Sequence, residues 1–379
     1  MKHLKNAGRI ALGAIALSLI THFSKAQVGI GTTTPQAKLH VHHGAIMSTT
    51  KNFDPAFDPF YDPQLPGDSI QFGLKWIYDK GALRAGGFRE GKSDFDAPDV
   101  GLYSFASGYE NSATGRAATA IGLQSMSTAT GSFAVGFACK AFGSYSFVHG
   151  NQSKASGLNA VAMGNGAVAD GNNSVAMGNG AVASGSNSVA IGNGSTNSKT
   201  GSFVLGYGTT TVKSNGNNEM AMAFTGGYRL YTDAMATVGV LLPSNGNAWQ
   251  VTSDVNKKEN FAPVNGEDVL NKIARMNLTS WNYKGQDPKT LRHYGPMAQD
   301  FYKAFGRDSY GTIGTDTTIN QADFDGINLI AIQALAKRTE QLEKQNSDLL
   351  VELAEIKAQL AGNARTRGTG KRKGVIANR

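Results

Sequence analysis

The chain has 379 residues, 47 of them glycine, with one cysteine and a formal charge of +8. A glycine excess with only 40% hydrophobic residues excludes a compact enzyme of ordinary composition, and the lone Cys139 excludes an intrachain disulfide framework. Of the charge, +4 lies in residues 1–26 and +6 from Ala361 onward, so the body between them carries −2 and offers no basic groove for nucleic acid.

Residues 1–26 join a basic start to the apolar run IALGAIALSLI and end with Ser24 and Ala26 at small-residue positions, the pattern of a secretory signal peptide. Cleavage after Ala26 is expected, giving an exported protein. No later apolar stretch reaches about 18 residues, so no transmembrane anchor is expected. Residues 27–100 read as an N-terminal β segment and a proline-rich loop. Within them, VGIGTTTPQAKLHV resembles a short segment found on many secreted bacterial and phage fibre proteins. His40, His42 and His43 read as strand histidines, since no carboxylate or cysteine stands near to complete a metal site. Asp54, Asp58 and Asp62, spaced four apart beside prolines, lack the close oxygens and glycine turn of a calcium loop. No metal and no cofactor is expected. The stretch from Trp76 to Phe88 reads as a strand pair.

From residue 101 to residue 208 glycine recurs every fourteen residues: Gly108, Gly122, Gly136, Gly150, Gly164, Gly178, Gly192 and Gly206. Apolar residues stand three and one positions before each, with Thr119 as the polar exception in the first place and Ser107 and His149 in the second. Positions i and i+2 put both side chains on one face of a strand, and a fixed short period signals a solenoid whose coils bury themselves against their neighbours. Second glycines at Gly143, Gly157, Gly171 and Gly185 suggest a second turn per coil. No proline interrupts residues 99–242, so no ladder donor is missing. So thin a coil buries little alone, and lateral association is expected. Cys139, at a place where other copies carry small residues, reads as a packed thiol.

These repeats, SVAIGNG and SVAMGNGAVASG, resemble the head repeats of YadA-like trimeric adhesins. The resemblance implies a left-handed parallel β-roll packed as a trimer. A structural shaft or head is the first reading of it, and adhesion at the cell surface to a glycan or protein ligand is the second, because a solenoid face says nothing about its ligand. No segment like the membrane β-barrel of those adhesins follows, so an autotransporter is not expected.

Residues 209–252 read as a linker and a β-neck. After them EDVLNKIARMNLTSWNY shows helical spacing and then a strand, and RHYGPMAQDFYKAFG a turn and a helix. Residues 327–360 read as a coiled coil, with Ile332, Leu335, Thr339, Leu342, Asn346, Leu349, Leu353, Ile356 and Leu360 in a 3-4 clock. Thr339 and Asn346 fall at core positions, where polar residues set register and parallel alignment. Residues 361–379 read as a basic disordered tail.

At the junction lies QVTSDVNKKENF. On a helix at about 100° per residue, Lys257 falls near the face of Ser253, whereas Lys258 reaches that serine only across a sharp bend or from another chain. In order, SDVNKKENF, WNY, HYGPMAQDF and the closing heptads resemble the C-terminal intramolecular chaperone of phage tail spikes and endosialidases, a self-cleaving serine peptidase. The resemblance implies a chaperone and auto-peptidase domain over residues 253–326, with Ser253 as nucleophile, Lys258 as base, and cleavage between Thr252 and Ser253. Asp254 and Lys257 are the supporting candidates. That family often carries arginine where this chain has Asn256. The fold expected is a mainly β passenger, a trimeric left-handed β-roll, followed by a small α+β domain ending in a parallel coiled coil. The function expected is a secreted or cell-surface homotrimeric fibre that releases its assembly domain by autoproteolysis. The rival is a structural or adhesive protein whose tail trimerises without cutting.

Overall fold

The fourteen-residue period of the glycines is the pitch of a β-solenoid. A computed structural model describes residues 28–30, 32–34, 39–41, 46–50, 70–89, 99–207 and 212–370. Residues 1–26, His42, His43, Asp54, Asp58, Asp62 and residues 371–379 lie outside the described residues, as does the side chain of His40. The chain divides into two compact units, residues 1–228 with 242–247 and residues 229–241 with 248–379.

In the first unit each coil gives one longer strand, such as Phe133–Phe137 or Phe147–Asn151, and one two-residue strand, such as Lys140–Ala141. The longer strands stack in parallel, residue i against residue i+14, within a twelve-stranded sheet, and the short ones form a seven-stranded sheet. The longer-strand sheet continues past the repeats to Met220–Phe224, which pairs in parallel with Phe203–Tyr207. The roll thus takes in part of the stretch read as neck. At its other end the expected strand pair is an antiparallel hairpin, Ile70–Ile77 with Ala82–Arg89, whose second strand pairs in parallel with Phe105–Tyr109.

Between the sheets the core is almost all alanine. Ala134, Ala141, Ala155, Ala162, Ala169 and Ala176 are fully buried, because the sheets are close enough to accept little more than a methyl group. Serine hydroxyls close the corners by bonding nearby carbonyls, as Ser132 to Ala129 at 2.6 Å and Ser153 to Gly164 at 2.9 Å. Cys139 takes the place of such a serine. Its Sγ lies 3.2 Å from the carbonyls of Val135 and Gly150, and burial pushes its pKa up. It is a packed thiol.

Both open ends of the lumen are closed by polar side chains at inward positions. Asn197, in register with Ala183, bonds Ser202 and Ser214. At the start of the roll Arg84, fully buried, occupies the register of Ala106 and donates to the Ser104 carbonyl and hydroxyl and to the Ala113 carbonyl. A buried carbonyl left without a donor costs about 1–3 kcal/mol. Arg84→Ala should therefore lose about 3 kcal/mol or more and lower the thermal midpoint of the roll by circular dichroism; an unchanged midpoint contradicts this role.

The second unit opens with the turn 232–238. There the Asp233 carboxylate accepts the amides of Val238 at 2.8 Å and Thr237 at 2.9 Å, and the Thr237 hydroxyl at 2.7 Å. These bonds, the Val238 amide foremost, hold its pKa at about 2. A carboxylate depressed in this way stabilises the turn at pH values above its unfolded pKa of about 3.9. That support is lost as pH falls through the folded value. Carboxyl carbon shifts of Asp233 should titrate with a midpoint near 2 rather than near 4.

Beyond the junction come α1 (Gly266–Ala274), a two-stranded antiparallel pair of Thr279–Trp281 and His293–Gly295, α2 (Ala298–Phe305) and α3 (Gln321–Gly370). Asn265 caps α1 by accepting the amides of Glu267 and Asp268. Val269, Phe301, Phe305 and Ala331 form the small core, with Ile273, Phe324, Ile327 and Ile330 packed against it. Past that core α3 stays against α1 through the buried Ala334 and through Arg338, which pairs with Glu267 at 2.7 Å. Beyond Arg338 every residue of the helix whose burial is described is exposed. Ile332, Leu335, Leu342, Leu349, Leu353, Ile356 and Leu360 are all exposed. The helix continues through residues 361–370, the first part of the stretch read as a disordered tail. No proline occurs there, and helix propagation adds a bond for each residue fixed.

Candidate functional site

The junction is not helical in the way the lysine geometry assumed. Gln250–Val251 ends as a strand paired with Val240 and Leu241. Thr252, Ser253 and Asp254 follow in irregular backbone, and Val255–Lys257 make one 3-10 turn. Asp254 caps that turn. Its carboxylate accepts the Asn256 amide at 2.9 Å and the Asn256 side-chain nitrogen at 3.0 Å, and its carbonyl accepts the Lys257 amide at 3.0 Å. In the structure Asp254 thus acts as the cap of this turn.

The turn ends at Lys258, whose backbone is extended at φ −124 and ψ 149. Leaving a tight turn in extended geometry folds its long side chain back over the turn, and Lys258 Nζ stands 2.7 Å from Ser253 Oγ. The sharp bend that the sequence required for this lysine is therefore present within one chain. Lys257 stays on the turn. The ammonium donates to the serine oxygen in this geometry. A neutral amine at the same separation can accept the hydroxyl proton, which is the contact a serine nucleophile needs from its base.

Thr252, Ser253, Asp254, Lys257 and Lys258 are all exposed in the single chain. Desolvation is what makes a lysine a base near neutral pH, and no described residue of the single chain buries this pair. Among the described residues of one chain no cluster of three or more His, Cys, Asp or Glu is placed to hold a metal.

Some polar groups of this unit were not singled out by the sequence. Trp281, Tyr283 and His293 pack together with ring centroids 4.7–5.5 Å apart, and Trp281 Nε1 and His293 Nε2 are buried without a hydrogen-bond partner among the described residues. The motifs WNY and HYG mark these residues, but only the register of the two strands, Trp281 opposite His293, brings the rings together.

Two family models match the chain. Residues 253–308 match the model described as the chaperone of endosialidase, beginning at Ser253 itself. Overlapping segments from residue 101 to residue 209 match the YadA head domain repeat. No curated protein matches the chain. Among the described residues no helix is long and apolar enough to cross a membrane.

Proposed function

We propose that this chain, which joins YadA head repeats to a chaperone-of-endosialidase domain, is a secreted, surface-displayed homotrimeric fibre that cuts off its own assembly domain between Thr252 and Ser253. Proteins of both families assemble as trimers, and two features of the single chain support the same reading here. Along the outer face of the longer strands runs an unpartnered apolar band, with Phe133 and Phe147 stacked at 5.4 Å. The exposed 3-4 stripe of α3 is the second. Three copies in parallel would cover both, α3 as a three-stranded coiled coil with Thr339 and Asn346 in its core.

The observation that carries the cleavage is the 2.7 Å contact of Lys258 Nζ with Ser253 Oγ at the first residue of the chaperone match. In the reaction, Lys258 takes the hydroxyl proton as Ser253 Oγ adds to the Thr252 carbonyl carbon. The carbon–nitrogen bond then breaks, the proton passes to the departing Ser253 amine, and an ester joins Thr252 to Ser253 Oγ. Water hydrolyses that ester, leaving a Thr252 carboxylate and a free Ser253 hydroxyl. Assembly supplies the cover that the exposed pair lacks, so cutting follows trimer formation.

Such an order suits the fold. Parallel solenoids in a trimer depend on non-local contacts, which form slowly and expose aggregation-prone surface. A C-terminal clasp sets the register first, the roll zips from that end, and loss of the clasp leaves a trimer that cannot retrace its path, which is kinetic stability.

The exposure of both residues in the single chain favours one rival, a fibre whose tail trimerises without cutting. Intact-mass spectrometry of the purified protein separates the two. A passenger ending at Thr252 is expected, and one uncut chain supports the rival.

A further inference from the structure

His149 interrupts an otherwise apolar column. Its strand, Phe147–Asn151, turns residues 147, 149 and 151 outward, since Val148 between them is fully buried in the roll. Residue 149 is the middle of the three. In register it lies between Val135 on one neighbouring strand and Met163 on the other. The column continues through Ile121 on one side and Met177 on the other. His149 is exposed in the single chain, and no described residue hydrogen-bonds its imidazole.

The consequence rests on the trimer proposed above. When three copies of this face meet around a threefold axis, the middle outward column of each lies nearest the axis. Three His149 side chains then converge between a ring of three Val135 and a ring of three Met163, each one strand spacing of about 4.8 Å away. An imidazole buried in apolar surroundings needs a partner for its nitrogen, and neither neighbouring ring offers one. Symmetry places one nitrogen from each chain about a single point. That is the three-imidazole donor set that suits zinc-like divalent transition metals, with a fourth position left for water or an anion. The outward positions of the two adjoining coils, residues 133, 135 and 137 and residues 161, 163 and 165, carry no charged group that would compete.

We propose that the trimer holds one divalent transition-metal ion, of the zinc class, on its axis through His149 from each of the three chains. One chain supplies a single ligand, so the site is incomplete without its partners. The metal staples the middle of the fibre, at the fourth of the eight glycine-marked coils.

The test is titration of the untagged, metal-stripped full chain with cobalt(II), followed by visible absorption, with sedimentation equilibrium on the same sample. The variant His149→Val continues the apolar column and is expected to remain trimeric. His40, His42 and His43 are present in both proteins, so the difference between the two titrations isolates the axial site. One cobalt bound per three chains, absent from His149→Val, is the expected result, together with a thermal midpoint raised by zinc in the parent protein alone. A trimer that binds no cobalt, or the same amount in His149→Val, overturns the site. A chain that sediments as a monomer overturns the trimer on which the site rests.

Discussion

Ser253→Ala should leave the chain uncut, with a single full-length band on a denaturing gel where the parent gives two fragments. Removing the hydroxyl removes the only atom that can carry the Thr252 acyl group, and loss of a nucleophile slows such reactions by at least about a thousandfold. Lys258→Met should stop cleavage nearly as completely, because it removes the amine that stands 2.7 Å from Ser253 Oγ. Lys257→Met, one residue away on the 3-10 turn, should still cut. This contrast matters more than either loss alone, since a general collapse of the junction would silence all three variants. Release of a fragment beginning at residue 253 from Ser253→Ala would show that the serine is not the nucleophile. Cleavage in Lys258→Met but not in Lys257→Met would exchange the roles of the two lysines.

Gly150→Val should abolish folding of the roll, whereas Gly166→Asn should be tolerated. The two glycines differ in a way that counting does not reveal. Gly150 has φ +124, and a Cβ there would lie 1.9 Å from the Gly164 carbonyl oxygen of the next coil. Both backbone angle and space exclude a side chain, and the loss should exceed about 4 kcal/mol, the range reached only by severe core defects. Gly166 has φ +65, and a Cβ there would meet nothing within 4 Å. The equivalent places in earlier coils hold Gln124, Ala138 and Gln152 at φ 51 to 56, and asparagine adopts that left-handed region at small cost. Thermal unfolding by circular dichroism checks both; a stable roll in Gly150→Val would mean that the coils can separate without penalty.

The solenoid was legible because its defining contact is a translation by fourteen residues, which the sequence repeats as glycine and apolar spacing. The placement of the last coil was less so. Met220–Phe224 joins the sheet seventeen residues after Phe203–Tyr207, outside the period. Arg84 escaped for the same reason: it pairs with Ala106, which does not lie one period away. At the junction, residue spacing alone favoured Lys257, because it presumed a regular helix. Asp254 and Asn256 make a single 3-10 turn there instead, and only the extended backbone at its end carries Lys258 to the serine. For the helix Gln321–Gly370, the 3-4 pattern marked the stripe, but the pattern alone does not say whether it meets its own domain. The structure separates the two uses, with Ile327 and Ile330 in the domain core and Leu342 onward exposed.

The claim on which the rest depends is that three chains are clasped by the segment after Thr252. Sedimentation equilibrium of the full chain, beside a gene truncated to end at Thr252, tests it most directly. The account predicts a mass of three passengers for the full chain, and for the truncated one a product that fails to form a soluble trimer. A truncated chain that is folded and monomeric, with the full chain monomeric as well, would contradict it.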